Sequence, residues 1–182
     1  MNSGYEVTTL APEDDASQKL EEAGCKYLNF NMDNKGLNPL ADLRLKNSFD
    51  KIYEQLSPDL IVHYTIKPVI YGSLTAAKLG IPFVNNITGL GTAFINKNWV
   101  TWFVKRLYRL SQKNADHIFF QNTDDKELFR KDKLIPENVP QEVIPGTGID
   151  TIKFPQKPYP KSNPDTFLLI ARLIWDKGVG EF

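Results

Sequence analysis

The chain has 182 residues, enough to bury a proper core and to hold one to one and a half domains. Twenty-two Lys and Arg balance twenty-two Asp and Glu, so the whole molecule is no electrostatic trap for nucleic acid. Cys25 is alone, which excludes an internal disulfide, two separated His add no credible metal set, and no run nears the ~18–20 apolar residues of a membrane span.

The chain opens without a signal peptide, and with one reduced cysteine it reads as a cytosolic protein. Gly4 to Ala11 alternates and is β-branched, predicting a strand that ends at Pro12. Asp14 and Asp15 begin a short helix through Lys19, Leu20 and Ala23, stopped by Gly24. Cys25 to Phe30 is a second strand. From Leu37 to Leu56, apolar residues at Leu40, Leu43, Phe49, Ile52, Tyr53 and Leu56 recur mostly at helical spacing, and Ser57-Pro58 ends them. A strand over 59–64 follows, then a helix from Pro68 to Leu79 with Pro at its start and Gly80 at its end. The next strand is 82–86.

Asn98 is placed to cap a helix from Trp99 to Lys113, and Asp116 to Phe120 is a short apolar strand. Thr123 and Asp124 cap a helix to about Lys131, and Glu142 to Ile144 is a last strand before Pro145-Gly-Thr-Gly148. Strand and helix alternate throughout. The fold class is therefore α/β, with a mainly parallel, doubly wound, Rossmann-like sheet whose right-handed crossovers bring the strand-end loops to one edge.

Two of those strand ends look built for a ligand. The apolar run Ile81, Phe83, Val84 stops in Asn85 and Asn86, followed by Thr88, Gly89 and Gly91; one strand earlier comes His63-Tyr-Thr-Ile-Lys-Pro68. The glycines can simply shape a turn and the amides satisfy backbone groups, but both loops on one edge favour a site. Lys67 precedes Pro68 at a helix N-terminus, where the macrodipole disfavours a cation, so an anion is expected beside it. An anionic ligand and an ordinary Asp or Glu explain it equally.

The helix after Asn96 carries Lys97, Lys105, Arg106, Arg109 and Lys113 and no acid, together with Trp99, Trp102, Phe103, Leu107 and Leu110 at spacings that share a face. Such a helix lies on an anionic membrane surface through Trp99, Trp102, Lys105, Arg106 and Arg109, or its aromatic face is core. Further on, 154–165 is Pro-rich and reads as a linker, and Thr166 to Ile170 as a fresh buried strand. This divides the chain into a domain over 1–153, a linker, and the start of a second domain over 166–182. The front reads as beginning on the second strand of a Rossmann-like unit, with the first strand and its Gly-rich loop missing. No Gly-x-Gly-x-x-Gly follows a first strand, which argues against a dehydrogenase.

Five stretches in register now carry a resemblance over nearly the whole chain: Gly4 to Pro12, His63 to Pro68, Asn85 to Gly91, Ile144-Pro-Gly-Thr-Gly-Ile-Asp150 and Ile170-Ala-Arg-Leu-Ile-Trp-Asp-Lys-Gly178. Together they resemble a family-four retaining glycosyltransferase of the GT-B fold, in the subgroup acting on polyprenyl-diphosphate-linked saccharides in bacterial surface-glycan pathways. The resemblance implies a two-domain enzyme with a nucleotide-sugar donor, UDP-linked, in the second domain and the acceptor in the first. It places His63, Thr65, Lys67, Asn86, Thr88, Gly89 and Gly91 at the acceptor, and Arg172 and Lys177 on the donor diphosphate. An Arg fork and a Lys point charge can neutralise that leaving group without a metal. No catalytic base is assigned; His63 either faces the sugar or belongs to the core. Asn86-Ile-Thr-Gly lacks the His many such enzymes carry there, and the paired-Glu motif of the donor domain is absent. Such a chain is expected to be inactive alone, marginally stable and peripheral on the inner face of the plasma membrane. A non-catalytic acceptor-binding subunit and a GT-B sugar-nucleotide epimerase are the alternatives.

Overall fold

The structure, a computed structural model, describes residues 4–32, 39–89, 99–146, 148–159, 166–173 and 175–182. They fall into two compact units that divide between Pro58 and Asp59.

The first unit holds strand β1 (Thr8–Ala11), helix α1 (Ser17–Glu22), strand β2 (Lys26–Asn29) and helix α2 (Pro39–Leu56). β1 and β2 pair in parallel, Thr8 opposite Lys26 and Ala11 opposite Asn29. The crossover can be this short because Gly24 turns the chain at φ +88°, a conformation that costs a side-chain-bearing residue about 1–2 kcal/mol. α2 buries Asp42, Leu45, Phe49 and Tyr53, three or four residues apart, while Leu40 and Leu43 lie outside that stripe and are exposed. Phe49 packs its ring on Phe30 at 4.8 Å and on Tyr53 at 5.5 Å, which anchors the helix by aromatic contact.

The second unit is a four-stranded parallel sheet in the order β3 (Ile61–Tyr64), β4 (Phe83–Ile87), β5 (His117–Phe120), β6 (Gln141–Val143). Its connections are α3 (Ser73–Leu79), α4 (Trp99–Ser111) and α5 (Thr123–Lys131). Phe83, Ile87, Ile118 and Phe120 are buried along the two central strands, as parallel strands covered by helices require. Tyr108 of α4 and Phe120 of β5 meet Phe129 of α5 edge-on, at 5.0 and 5.3 Å. Gly80 closes α3 in the left-handed conformation, φ +69°.

The parallel α/β class is as predicted, but three local expectations are corrected. The described ladders form two sheets, β1–β2 and β3–β6, rather than one. α5 is capped by Asn122, whose Oδ1 accepts the Asp125 N–H at 2.7 Å, not by Thr123 and Asp124; the extended backbone of Asn122 is what a cap needs. Residues 166–170 form no strand: Phe167 and Ile170 are 82% and 86% exposed, and no described strand lies beside them. An apolar run becomes a strand only where a neighbour accepts its backbone hydrogen bonds. The Asn98 cap and Gly91 lie outside the described residues.

Candidate functional site: the carboxyl ends of β3 and β4

β3 and β4 run side by side with His63 opposite Asn85 and Tyr64 opposite Asn86, so their polar ends meet. Beyond Tyr64, Thr65 adopts φ +65°, which a β-branched residue does only under strain. The chain then turns helical, with a π-type turn over Pro68–Gly72 ahead of α3. There the Ser73 N–H reaches back five residues to the Pro68 carbonyl. Such widened turns re-aim side chains and recur at functional sites. Lys67, at the head of this turn, is only 8% exposed. Beyond β4, Thr88 and Gly89 are exposed, and Gly89 takes φ +151°, which suits its lack of a side chain.

Behind these loops lies a buried polar network. His63 is 3% exposed, and its Nδ1 lies 2.9 Å from Asn85 Oδ1. Ser73 Oγ donates to the same oxygen at 3.0 Å. Asn85 Nδ2 donates to Gln112 Oε1 at 2.6 Å, and Gln112 Nε2 donates to the Val69 carbonyl at 3.3 Å and to Ser111 Oγ at 2.8 Å. These bonds join β3, β4, the π turn and the end of α4. Burial pushes the His63 imidazole down to about 4, with the Asn85 hydrogen bond working in the opposite direction. His63 is thus a neutral core histidine, the second of the two readings its sequence allowed. Asn86 is 6% exposed, and its Oδ1 finds no hydrogen-bond partner among the described residues, an orphan acceptor at the strand end.

α4 shows which of its faces is core. Thr101, Val104, Tyr108 and Ser111 are buried, whereas Trp99 and Trp102 are 77% and 63% exposed, with Phe103 and Leu110 beside them. The Arg106 guanidinium sits over the Trp102 ring, 5.8 Å from its centre. Lys105 and Arg109 face elsewhere: Lys105 pairs with Asp132 at 2.6 Å, and Arg109 donates to the carbonyls of Asp132 and Lys133 at 2.9 and 3.2 Å. They close the open end of α5, as cations near a helix C-terminus do. Arg172 and Lys177 are both exposed, Lys177 in a short 3-10 turn over Trp175–Lys177. No described helix is long and apolar enough to cross a membrane.

Ser73 and Gln112 were not singled out in the sequence, and Asn85 only as one of the two amides that end the apolar run of β4. The one signal was Gln112, four residues after Tyr108 and on the buried stripe of α4.

Residues 1–122 match the model of a family described as glycosyl transferase 4-like. A curated relative from Campylobacter jejuni subsp. jejuni serotype O:2 is an N,N'-diacetylbacillosaminyl-diphospho-undecaprenol alpha-1,3-N-acetylgalactosaminyltransferase, 29% identical over 194 residues, 97% of this chain. The chain spans 51% of that relative's length. Among solved structures, MurG of Acinetobacter baumannii is 16% identical with a TM-score of 0.48, over 82% of this chain and 39% of that one. The UDP-GlcNAc 2-epimerase of Methanocaldococcus jannaschii is 14% identical with a TM-score of 0.41, over 72% and 45%. The family match covers well over half the sequence, and on that ground the chain belongs to the glycosyl transferase 4-like family.

Proposed function

We propose that this chain is the acceptor-side part of a glycosyltransferase that moves a sugar, with retention, from a nucleotide-sugar to a saccharide carried on a polyprenyl diphosphate. The observation that carries this reading is the outward stripe of Trp99, Trp102, Phe103 and Arg106 on α4, in a family member whose curated relative acts on an undecaprenol-linked saccharide. Aromatic rings with a guanidinium among them suit the boundary between lipid headgroups and acyl chains. The enzyme then works as a peripheral protein on the cytoplasmic leaflet, where a lipid-linked acceptor stays within its reach.

In this reading the acceptor lies against the carboxyl ends of β3 and β4. Lys67 serves its diphosphate, the orphan Asn86 Oδ1 takes a hydroxyl, and Thr65, Thr88 and Gly89 shape the backbone around it. Arg172 and Lys177 neutralise the donor diphosphate, UDP being the expected carrier, with no metal required. Nanodiscs of anionic lipid with and without a polyprenyl-diphosphate disaccharide test the acceptor claim. The chain is expected to bind the acceptor-loaded discs more tightly, and Lys67→Met to abolish the difference. Equal binding to both discs would refute an acceptor site at these strand ends.

A further inference from the structure

The buried network has a direction, and that direction decides what His63 can do. A backbone carbonyl only accepts, so the Val69 carbonyl requires the Gln112 amide nitrogen on its side. Gln112 Oε1 is then turned to Asn85 and must meet a donor, the Asn85 Nδ2 at 2.6 Å. Asn85 Oδ1 is left pointing at His63 and Ser73, and it too can only accept. The proton between Asn85 and His63 therefore belongs to the imidazole Nδ1. One fixed carbonyl in the π turn propagates its polarity through two amides to one ring.

We infer that Gln112 and Asn85 are positioning residues that hold His63 as the Nδ1–H tautomer, so that in the neutral ring its Nε2 is a hydrogen-bond acceptor. The consequence is structural: the ring is held in one orientation and one tautomer inside the core, behind the loops at the strand ends. Burial of His63 supports the neutral form from a separate direction, since desolvation opposes an imidazolium. All five side chains of the network are buried in one unit, so the lock is built into the fold of residues 59–182.

The test is long-range proton–nitrogen NMR of the 182-residue chain, which has only two histidines; His117→Gln assigns the remaining ring. The expected result is a protonated Nδ1 and a bare Nε2 at His63, unchanged between pH 5.5 and 8. The opposite tautomer, or an imidazolium in that range, overturns the inference. Gln112→Met removes the relay while filling its space, and the ring is expected to become a mixture of tautomers; a ring still fully Nδ1–H shows that Gln112 does not position it. If that variant fails to fold, Asn85→Asp answers the same question. A carboxylate there keeps Nδ1–H bonded and raises the His63 midpoint by ~1 unit or more, and an unshifted midpoint means the two side chains do not bond. None of these readouts depends on sugar transfer, so the lock and the proposed activity fail separately.

Discussion

Replacing Trp102 by Ser tests whether the exposed stripe of α4 is a membrane contact, and its size can be worked from the structure. Trp102 is 63% exposed, about 150 Å² of a large aromatic side chain, which at about 25 cal/mol per Å² sets a ceiling of about 4 kcal/mol for complete transfer from water. A ring seated at the headgroup boundary is half immersed, so about 2 kcal/mol is expected, a ~30-fold loss in partition coefficient. Arg106→Glu changes the local charge by two, each charge contributing about 1 kcal/mol near an anionic surface, and adds a similar loss that vanishes in high salt. The assay is co-sedimentation with sucrose-loaded anionic liposomes, with thermal unfolding as control. Neither side chain supports the core, so the unfolding midpoint should not move. Unchanged sedimentation of both variants would refute the membrane role of this face.

Three further outcomes follow from the packing. His63 is held neutral with its pKa lowered to about 4 against about 6.5 unfolded, so its contribution is complete above about pH 6.5 and lost as pH falls toward 4. Urea titrations should show about 3 kcal/mol less stability at pH 4 than at pH 7 from this group, a difference that His63→Gln removes. Thr65→Gly relieves the strained φ of +65° and is expected to raise stability by up to about 1 kcal/mol, read as a higher urea midpoint; a lower midpoint would show the conformation is not strained. Arg109→Ala frees the carbonyls of Asp132 and Lys133 and should cost about 1 kcal/mol without changing liposome binding. Loss of liposome binding in that variant would place Arg109 on the membrane face instead.

The alternation of strands and helices was legible from the residues alone, because apolar runs of four or five between capped helices leave little choice but parallel β-α units. The family was legible too, from five short stretches in register. The faces of α4 were not. Its aromatic stripe is the more apolar one, yet Thr101, Val104, Tyr108 and Ser111 went inward, since Tyr108 fits edge-on against Phe129 where Phe129 also meets Phe120. Hydrophobicity ranks stripes, but the shape of the sheet surface chooses between them. The His63–Asn85–Gln112 network was equally hidden: its members are 22 and 27 residues apart and meet only once β3 and β4 are in register. Thr166 to Ile170 shows the converse, a strand-like composition that stays exposed where no described neighbour pairs with it.

The most direct measurement is mass spectrometry of a polyprenyl-diphosphate disaccharide incubated with a UDP-sugar and this protein as its gene encodes it. Glycosyl transfer predicts a lipid-linked product heavier by one sugar residue, with the new bond keeping the donor's anomeric configuration, and loss of that product in Arg172→Ala. An unchanged acceptor with the UDP-sugar converted to its epimer, or an unchanged acceptor with no turnover at all, would contradict it.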